Sequence, residues 1–209
     1  MNINRKAFNA INYGLFLIGA AGANKREGCI VNSLHQVTSS LPPKFSLSVS
    51  KSSETYKAIE HSGHFSALVL DKDTPKELVE LFGYKSGRIL DKFEGYEVAV
   101  DGNGSPYIKG IGLARFALRV VEKLDLGSHV LYIAQCSEAV LLGDGLALTL
   151  DDFMNKGSAV PAAAPVIRAL EDVAGWKCTI CGYIAYKDEL PADYKCPICK
   201  AGKDKFVKV

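Results

Sequence analysis

Four cysteines near the C-terminal end carry the plainest chemistry in this 209-residue sequence. Cys178 and Cys181 form one C-x-x-C pair and Cys196 and Cys199 a second, with fourteen residues between the pairs. Two thiolates separated by two residues can grip one metal ion, because the turn between them aims both sulfurs inward. Two such turns facing each other complete a tetrahedral S₄ site, which suits zinc or iron. The competing use of four cysteines is a pair of disulfides in a small secreted module. No signal-type segment precedes them and no wider cysteine framework surrounds them, so the metal reading is preferred.

The flanking residues bear on which metal is bound. Gly182 follows the first pair, where φ > 0 turns backbone N–H groups toward sulfur, and Pro197 stiffens the second turn. Trp176, Tyr183, Tyr186, Tyr194 and Phe206 crowd the motif. Such an apolar shell excludes water and tunes an electron-transfer iron, whereas a plain zinc ribbon needs little of it. The strings W-K-C-T-I-C-G-Y-I-A-Y and C-P-I-C-K-A-G-K-D-K-F resemble rubredoxins, and the resemblance implies one redox-active iron on Cys178, Cys181, Cys196 and Cys199. The chain departs from that family twice. The stretch between the pairs is short, closer to the compact form appended to rubrerythrins. Lys200 also stands where rubredoxins commonly carry glycine, so it must adopt φ > 0 or alter the turn.

These elements need a larger body to position them. The apolar fraction of 48% gives enough material for one sizeable core plus a small module. A formal net charge of +2 is no nucleic-acid footprint, and no run approaches the roughly 18 apolar residues of a membrane span. The short apolar patch Leu15–Ala21 has no cleavage context, so a cytoplasmic protein is expected.

The first 150 or so residues read as β-rich. Strands are expected at Leu15–Ala20, Ile30–Leu34, Phe45–Val49, Leu113–Val121, His129–Ala134 and Leu146–Leu150, with Gly143-Asp144-Gly145 as a tight turn. In the fourth, Ala114, Phe116, Leu118 and Val120 alternate with Arg115 and Arg119. One helix should start at Ser52 or Ser53 and stop at Gly63; another should open on a Thr74-Pro75-Lys76-Glu77 capping box. Short strands between turns indicate a small barrel rather than a parallel α/β sheet. Gly102-Asn103-Gly104 and Gly110-Ile111-Gly112 open no helix and lack a third glycine, so they are read as hairpin turns, not a dinucleotide fingerprint.

The stretch from Gly28 to Ser50 is the informative part of this body. A buried strand enters, a polar loop with Asn32, Ser33, His35, Gln36, Thr38 and Ser39 follows, Pro42-Pro43 stop it, and a strand leaves. Such a loop suits the donor–acceptor edge of a planar ring. Lys51-Ser52-Ser53-Glu54-Thr55 then joins a cation, hydroxyls and a helix N-terminus, a natural phosphate seat. The plainer alternative is an ordinary loop and helix cap. Cys29 and Cys136, in apolar contexts, are read as core thiols, and His61 and His64 as cap or surface residues.

The string V-N-S-L-H-Q-V-T-S-S-L-P-P, then a strand and S-x-T, resembles the flavin reductase family, an FMN-binding split barrel that usually forms homodimers. Gly63-His64-Phe65, Ser86-Gly87-Arg88, Asp91-Lys92-Phe93 and Gly127-Ser128-His129 add to the likeness, which spans most of residues 5 to 155. The resemblance implies that Asn32, Ser33, His35, Gln36, Val37, Thr38 and Ser39 hold the isoalloxazine edge. Ser52 and Thr55 would seat the phosphate, with charge from Lys51 or Lys92. His129 would stand near the flavin or nicotinamide face; its alternative is a surface histidine at a strand end.

Gly157 to Pro165, small residues with two prolines, read as a semi-extended linker. The fold expected is therefore mainly β: a split barrel over residues 1–156, a linker over 157–174 and a rubredoxin-like module over 175–209. This arrangement resembles the high-molecular-weight rubredoxins. The resemblance implies that NADH or NADPH reduces FMN and that the iron passes electrons to a partner such as a flavodiiron protein. Two other readings stay open: a reductase of free flavin with a structural zinc ribbon, and a flavoredoxin-like carrier with no nicotinamide reaction of its own.

Overall fold

A computed structural model of the chain describes residues 4–155, 158, 160–164, 166, 175–180, 183–187, 189–196 and 199–208. Cys181, Gly182 and Pro197, three residues of the metal motif, lie outside the described set. The strands are β1 (Phe16–Ala21), β2 (Arg26–Val31), β3 (Leu34–Gln36), β4 (Lys44–Ser50), β5 (His64–Val69), β6 (Val98–Val100), β7 (Pro106–Ile108), β8 (Ala114–Asp125) and β9 (His129–Leu141). Helices α1 (Glu54–Ser62), α2 (Lys76–Tyr84) and α3 (Leu150–Asn155) interrupt or follow them.

Seven strands form one curled antiparallel sheet in the order β2-β1-β5-β8-β9-β4-β3, and β6 and β7 form a separate hairpin. In β4, Phe45, Leu47 and Val49 turn inward while Ser46, Ser48 and Ser50 do not, the period-2 pattern of a sheet with one covered face. β1 and β2 are buried along most of their length because they are covered on both faces. On one face Ile18, Ala20, Cys29 and Val31 pack with Ala58 and Ile59 of α1; on the other Leu17 and Ile30 pack with Leu78, Val79 and Phe82 of α2.

The helix at Ser53 forms as expected: the Ser53 hydroxyl accepts from Tyr56 N at 3.0 Å, and Gly63 ends it at φ 74°. Four expectations are corrected. The capping box before α2 does not form, because Pro75 occupies the cap position and the Thr74 hydroxyl donates to Asp71 at 2.9 Å. Leu146–Leu150 is no strand; it makes single bridges at Ala147 and Thr149 and then enters α3. The simple alternation in β8 breaks at two register shifts, which bury Ala117 and Leu118 together. Arg115 is buried rather than outward, since its guanidinium meets Glu138 at 2.6 and 3.1 Å and covers the Tyr107 ring. β5, unassigned in the sequence, pairs between β1 and β8 near the middle of the sheet.

The C-terminal module is a small sheet of β10 (Gly175–Cys178), β11 (Ile184–Tyr186) and β12 (Phe206–Lys208), in the order β11-β10-β12. Its core is Cys178, Ala185, Leu190, Cys196 and Phe206.

Candidate functional site

The N-terminus of α1 opens onto a polar cleft between α1, β2 and the end of α2. Its polar groups come from three stretches of the chain. From β4 and α1 come Ser50, Ser52, Ser53 and Thr55; from β2 come Glu27 and Cys29; from the segment after α2 come Lys85, Ser86, Gly87, Arg88 and Lys92. The serines form a linked set: Ser50 and Ser52 hydroxyls lie 2.9 Å apart, and the Ser53 hydroxyl donates to Ser50 O at 2.9 Å. These hydroxyls stand beside the N-terminal turn of α1, a combination of groups that suits an anion.

Lys92 is the buried cation of this cleft. It is 5% exposed, and its ammonium donates to Phe82 O and Lys85 O, both at 3.3 Å. Burial pushes the Lys92 ammonium below its ordinary value, with Cys29 and Glu27 opposing. Two carbonyls leave part of its three-donor capacity for an anion. Cys29 faces the same spot: burial pushes its thiol up, while the Lys92 charge and the Thr55 hydroxyl pull it down. Cys29 and Cys136 are free and buried, as core thiols should be, but Cys29 also lines the cleft, which the sequence did not reveal.

Arg88 is a cation the sequence reading left unassigned. It donates to Glu54 at 2.5 Å and to Ser52 O at 3.4 Å, so it spans the rim. Burial alone would raise the Glu54 carboxyl, but Arg88 and Lys57 outweigh it and hold the group below its usual value. The loop beside Arg88 presses on β2. A Cβ at Gly87 would stand 1.9 Å from Glu27 Oε2, so a side chain here would require the Glu27 carboxylate to move.

The segment Asn32–Ser39 is a hairpin arm more than a free loop, because Leu34–Gln36 pair with Phe45–Leu47 as β3. Ser33 donates to Ser48 O at 2.7 Å, Val37 N to Lys44 O at 2.8 Å, and Gln36 Nε2 to Thr38 O at 2.8 Å. The Thr38 hydroxyl accepts from Lys44 N at 2.8 Å. His35, Gln36, Val37 and Ser39 are exposed. Asn32 differs from them: it is fully buried, and neither its amide oxygen nor its nitrogen has a hydrogen-bond partner. An orphaned buried amide is costly, and a ring edge with its own donors and acceptors would satisfy it. None of Asn32–Ser39 lines the cleft, but the segment continues directly from β2, whose Glu27 and Cys29 do.

Lys51 is turned elsewhere, into an ion pair with Asp125 at 2.6 Å, and does not line the cleft. His129 pairs in register with Ser50 and meets the Ser128 hydroxyl at 2.8 Å. Burial and the nearby Lys177 charge lower its pKa, so the imidazole is neutral at pH 7. His64, read as a cap or surface residue, holds Ser105 at 2.7 Å.

In the C-terminal module, the sulfurs of Cys178, Cys196 and Cys199 lie within 4.8 Å of one another, and those of Cys178 and Cys199 are 3.6 Å apart. Soft thiolates at this spacing fit three corners of a tetrahedral site for iron or zinc. The backbone holds them: Cys178 N donates to Tyr183 O and Cys196 N to Ala201 O, both at 2.8 Å. Trp176, Tyr183 and Tyr194 pack around the core, and Tyr194 meets Phe206 edge-on at 5.4 Å. Lys200 takes the left-handed conformation at φ 62°, the first of the two outcomes open to it.

Residues 8–152 match the flavin reductase like domain. The chain belongs to this family. Behind that flavin-reductase-like domain, residues 176–207 match the rubredoxin-like domain of rubrerythrins, the compact form that the short cysteine spacing implied. A high molecular weight rubredoxin of Moorella thermoacetica is 30% identical across 99% of this chain and 100% of its own length. A ferric-chelate reductase (NAD(P)H) of Archaeoglobus fulgidus is 31% identical across 77% of this chain and 95% of its own. The FMN-binding protein of Thermus thermophilus shares the fold, with a TM-score of 0.62 at 21% identity over 71% of this chain and 87% of that one. This flavin-reductase-like chain is thus an oxidoreductase that combines a flavin-binding fold with a rubredoxin-like cysteine cluster for iron. Among the described residues, no helix is long and apolar enough to cross a membrane.

Proposed function

We propose that the chain passes electrons from NAD(P)H through FMN to the cysteine-bound iron and on to a redox partner such as a flavodiiron protein. The carrying observation is one chain that joins a cationic, hydroxyl-rimmed cleft, suited to a mononucleotide phosphate, to a buried thiolate cluster. The division into a barrel over 1–156, a linker over 157–174 and a metal module over 175–209 belongs to this reading. Bound there, FMN would supply a carrier able to take two electrons as hydride and give them up one at a time, as a one-electron S₄ iron requires. The residues bind and orient. Ser52, Ser53, Thr55, Arg88 and Lys92 hold the phosphate, and Asn32, with the backbone and side chains through Ser39, holds the ring edge. A neutral His129 flanks the nicotinamide side without repelling a cation there. Cys178, Cys181, Cys196 and Cys199 ligate the iron.

A second copy of the chain completes the assembly. The outer half of β8 exposes Val121 and Leu124, the turn after it Leu126, and the hairpin before β4 Leu41 at 91%, an apolar surface that a homodimer would cover. The name of the Archaeoglobus relative supports NAD(P)H as the donor.

Anaerobic mixing with NADH tests the order of carriers. The purified protein should show ferric–thiolate bands over flavin bands, and NADH should bleach both. Cys178→Ser should keep NADH-dependent flavin bleaching and lose transfer to an external one-electron acceptor protein. Equal loss of both steps would overturn the order. A colourless metal site would favour the free-flavin reductase with zinc, and a flavin that NADH leaves oxidised would favour the carrier.

A further inference from the structure

The chain between the barrel and the metal module is not free at its start. Ala162 N donates to Gly83 O at 2.9 Å, at the end of α2, and a Cβ at Gly83 would come within 3.2 Å of Pro161. Ala163 is 7% exposed and belongs to the core cluster that includes α1 and Cys29. Ala162 and Ala163 both line the cofactor cleft. The tether therefore leaves from the rim of the cleft itself. Eleven residue steps join Ala164 to Gly175, and an extended chain reaches at most about 3.6 Å per residue. The metal module is confined to within about 40 Å of that rim, at an effective concentration on the order of millimolar.

A second observation shows which part of the module meets the cleft. Ile180 sits in the turn between Cys178 and Cys181, is 49% exposed, and lines the same cleft as Ser52, Glu54, Arg88 and Ala163. About half of this apolar side chain is out of water with the module seated as it is, and the cleft is part of what covers it. On the adjoining strand β10, Lys177 is close enough to His129 for its charge to act on the imidazole, and His129 pairs with Ser50 on the cleft wall.

We propose that the Thr179–Ile180 turn of the metal module docks in cis on the rim of this chain's own cofactor cleft, with Ile180 closing its mouth. The proposal rests on the reading that the cleft holds FMN. Its consequence is that the module, besides carrying a metal, governs how fast the mononucleotide leaves.

Flavin release tests this without reference to turnover. FMN-loaded protein is diluted into an excess of a flavin-capturing protein, and the recovery of flavin fluorescence is timed. Ile180→Ser, with metal content verified, should release FMN about tenfold faster, the scale set by uncovering half an isoleucine side chain. A second variant leaves the metal turn untouched. Inserting about twenty-two glycine and serine residues after Ala164 triples the tether and should lower the effective concentration about fivefold, with a similar rise in release rate. Unchanged release in both variants overturns the docking. Dimers pairing an Ile180→Ser chain with a Lys92→Met chain then separate cis from trans. Fast release from the flavin-holding Ile180→Ser chain supports cis docking, and slow release means the partner's turn covers the cleft, which overturns it. If the native protein retains no FMN, the parent reading fails first, and that result is distinct from all of these.

Discussion

Three residues combine a local cost with a use in the site. Asn32 buries an amide with no partner, so a near-isosteric Asn32→Leu change should leave the flavin-free protein as stable as the parent or more so. The same change should weaken FMN binding, and calorimetry with flavin titration would separate the two effects. A loss of apo stability would mean that the amide has a structural partner. Lys92 follows the same logic with a charge. Replacing it by methionine removes a charge-assisted hydrogen bond, worth roughly 1.5–3 kcal/mol, so FMN affinity should fall by about one to two powers of ten. An unchanged dissociation constant would move the phosphate toward Arg88 alone. Lys200, at φ 62°, is the only described non-glycine residue with positive φ. Lys200→Gly should stabilise the metal module by on the order of 1 kcal/mol, read as slower loss of metal to a chelator. Lys200 was legible in the sequence because its position is set by the cysteines. Arg88 was not legible as a rim residue, since nothing in Ser86-Gly87-Arg88 indicates that its guanidinium reaches Glu54 thirty-four residues earlier.

Among the elements, α1 turns its N-terminus to the cleft, and its ends were readable because a serine cap and a glycine stop act locally. The capping box before α2 and the alternation in β8 misled for different reasons. At Thr74 a competing local partner, Asp71 three residues back, took the hydroxyl, and at Arg115 a distant one, Glu138, overrode the local pattern. β5 was missed because H-F-S-A-L-V is covered on both faces and shows no polar alternation. α1 is also tied to the far side of the sheet by Glu60, which accepts from Lys123 at 2.7 Å and from Tyr132 at 2.9 Å. The Lys123 ammonium, with help from the Tyr132 hydroxyl, holds the Glu60 carboxyl below its ordinary value despite some burial. A carboxyl depressed in the folded state contributes stability above its unfolded pKa, near 4.3, and loses it as pH falls through the lower folded value. Denaturant midpoints should therefore drop below about pH 4, and Glu60→Gln should flatten that drop while lowering stability at pH 7. An identical pH profile in the variant would place the acid sensitivity in other paired carboxyls, Glu54, Asp91 and Glu138 among them.

At the scale of the whole molecule the open question is what meets the metal module from outside. From Lys177 to Val209 the chain carries seven lysines and four acidic side chains, a difference of three positive charges before the terminal carboxylate. The structure divides these lysines. Lys195 and Lys200 are exposed beside the second cysteine pair, whereas the Lys203 ammonium donates to Leu190 O at 2.6 Å and so serves the module's own fold. Lys187 and Lys208 lie over the rings of Tyr194 and Trp176. A partner approaching the metal edge thus meets Lys195 and Lys200 first, and an acidic patch would complement them. Attraction of this kind speeds encounter more than it deepens affinity, and it is screened beyond roughly 8 Å at physiological salt. Transfer from the reduced metal module to the acceptor should slow steeply as salt rises, while reduction by NADH responds much less. Lys195→Glu with Lys200→Glu should flatten or invert that salt dependence, whereas Lys203→Glu should instead show as a loss of module stability. If transfer ignores salt in the native protein, the partner docks on apolar surface and the two lysines are solvated side chains without a role in encounter.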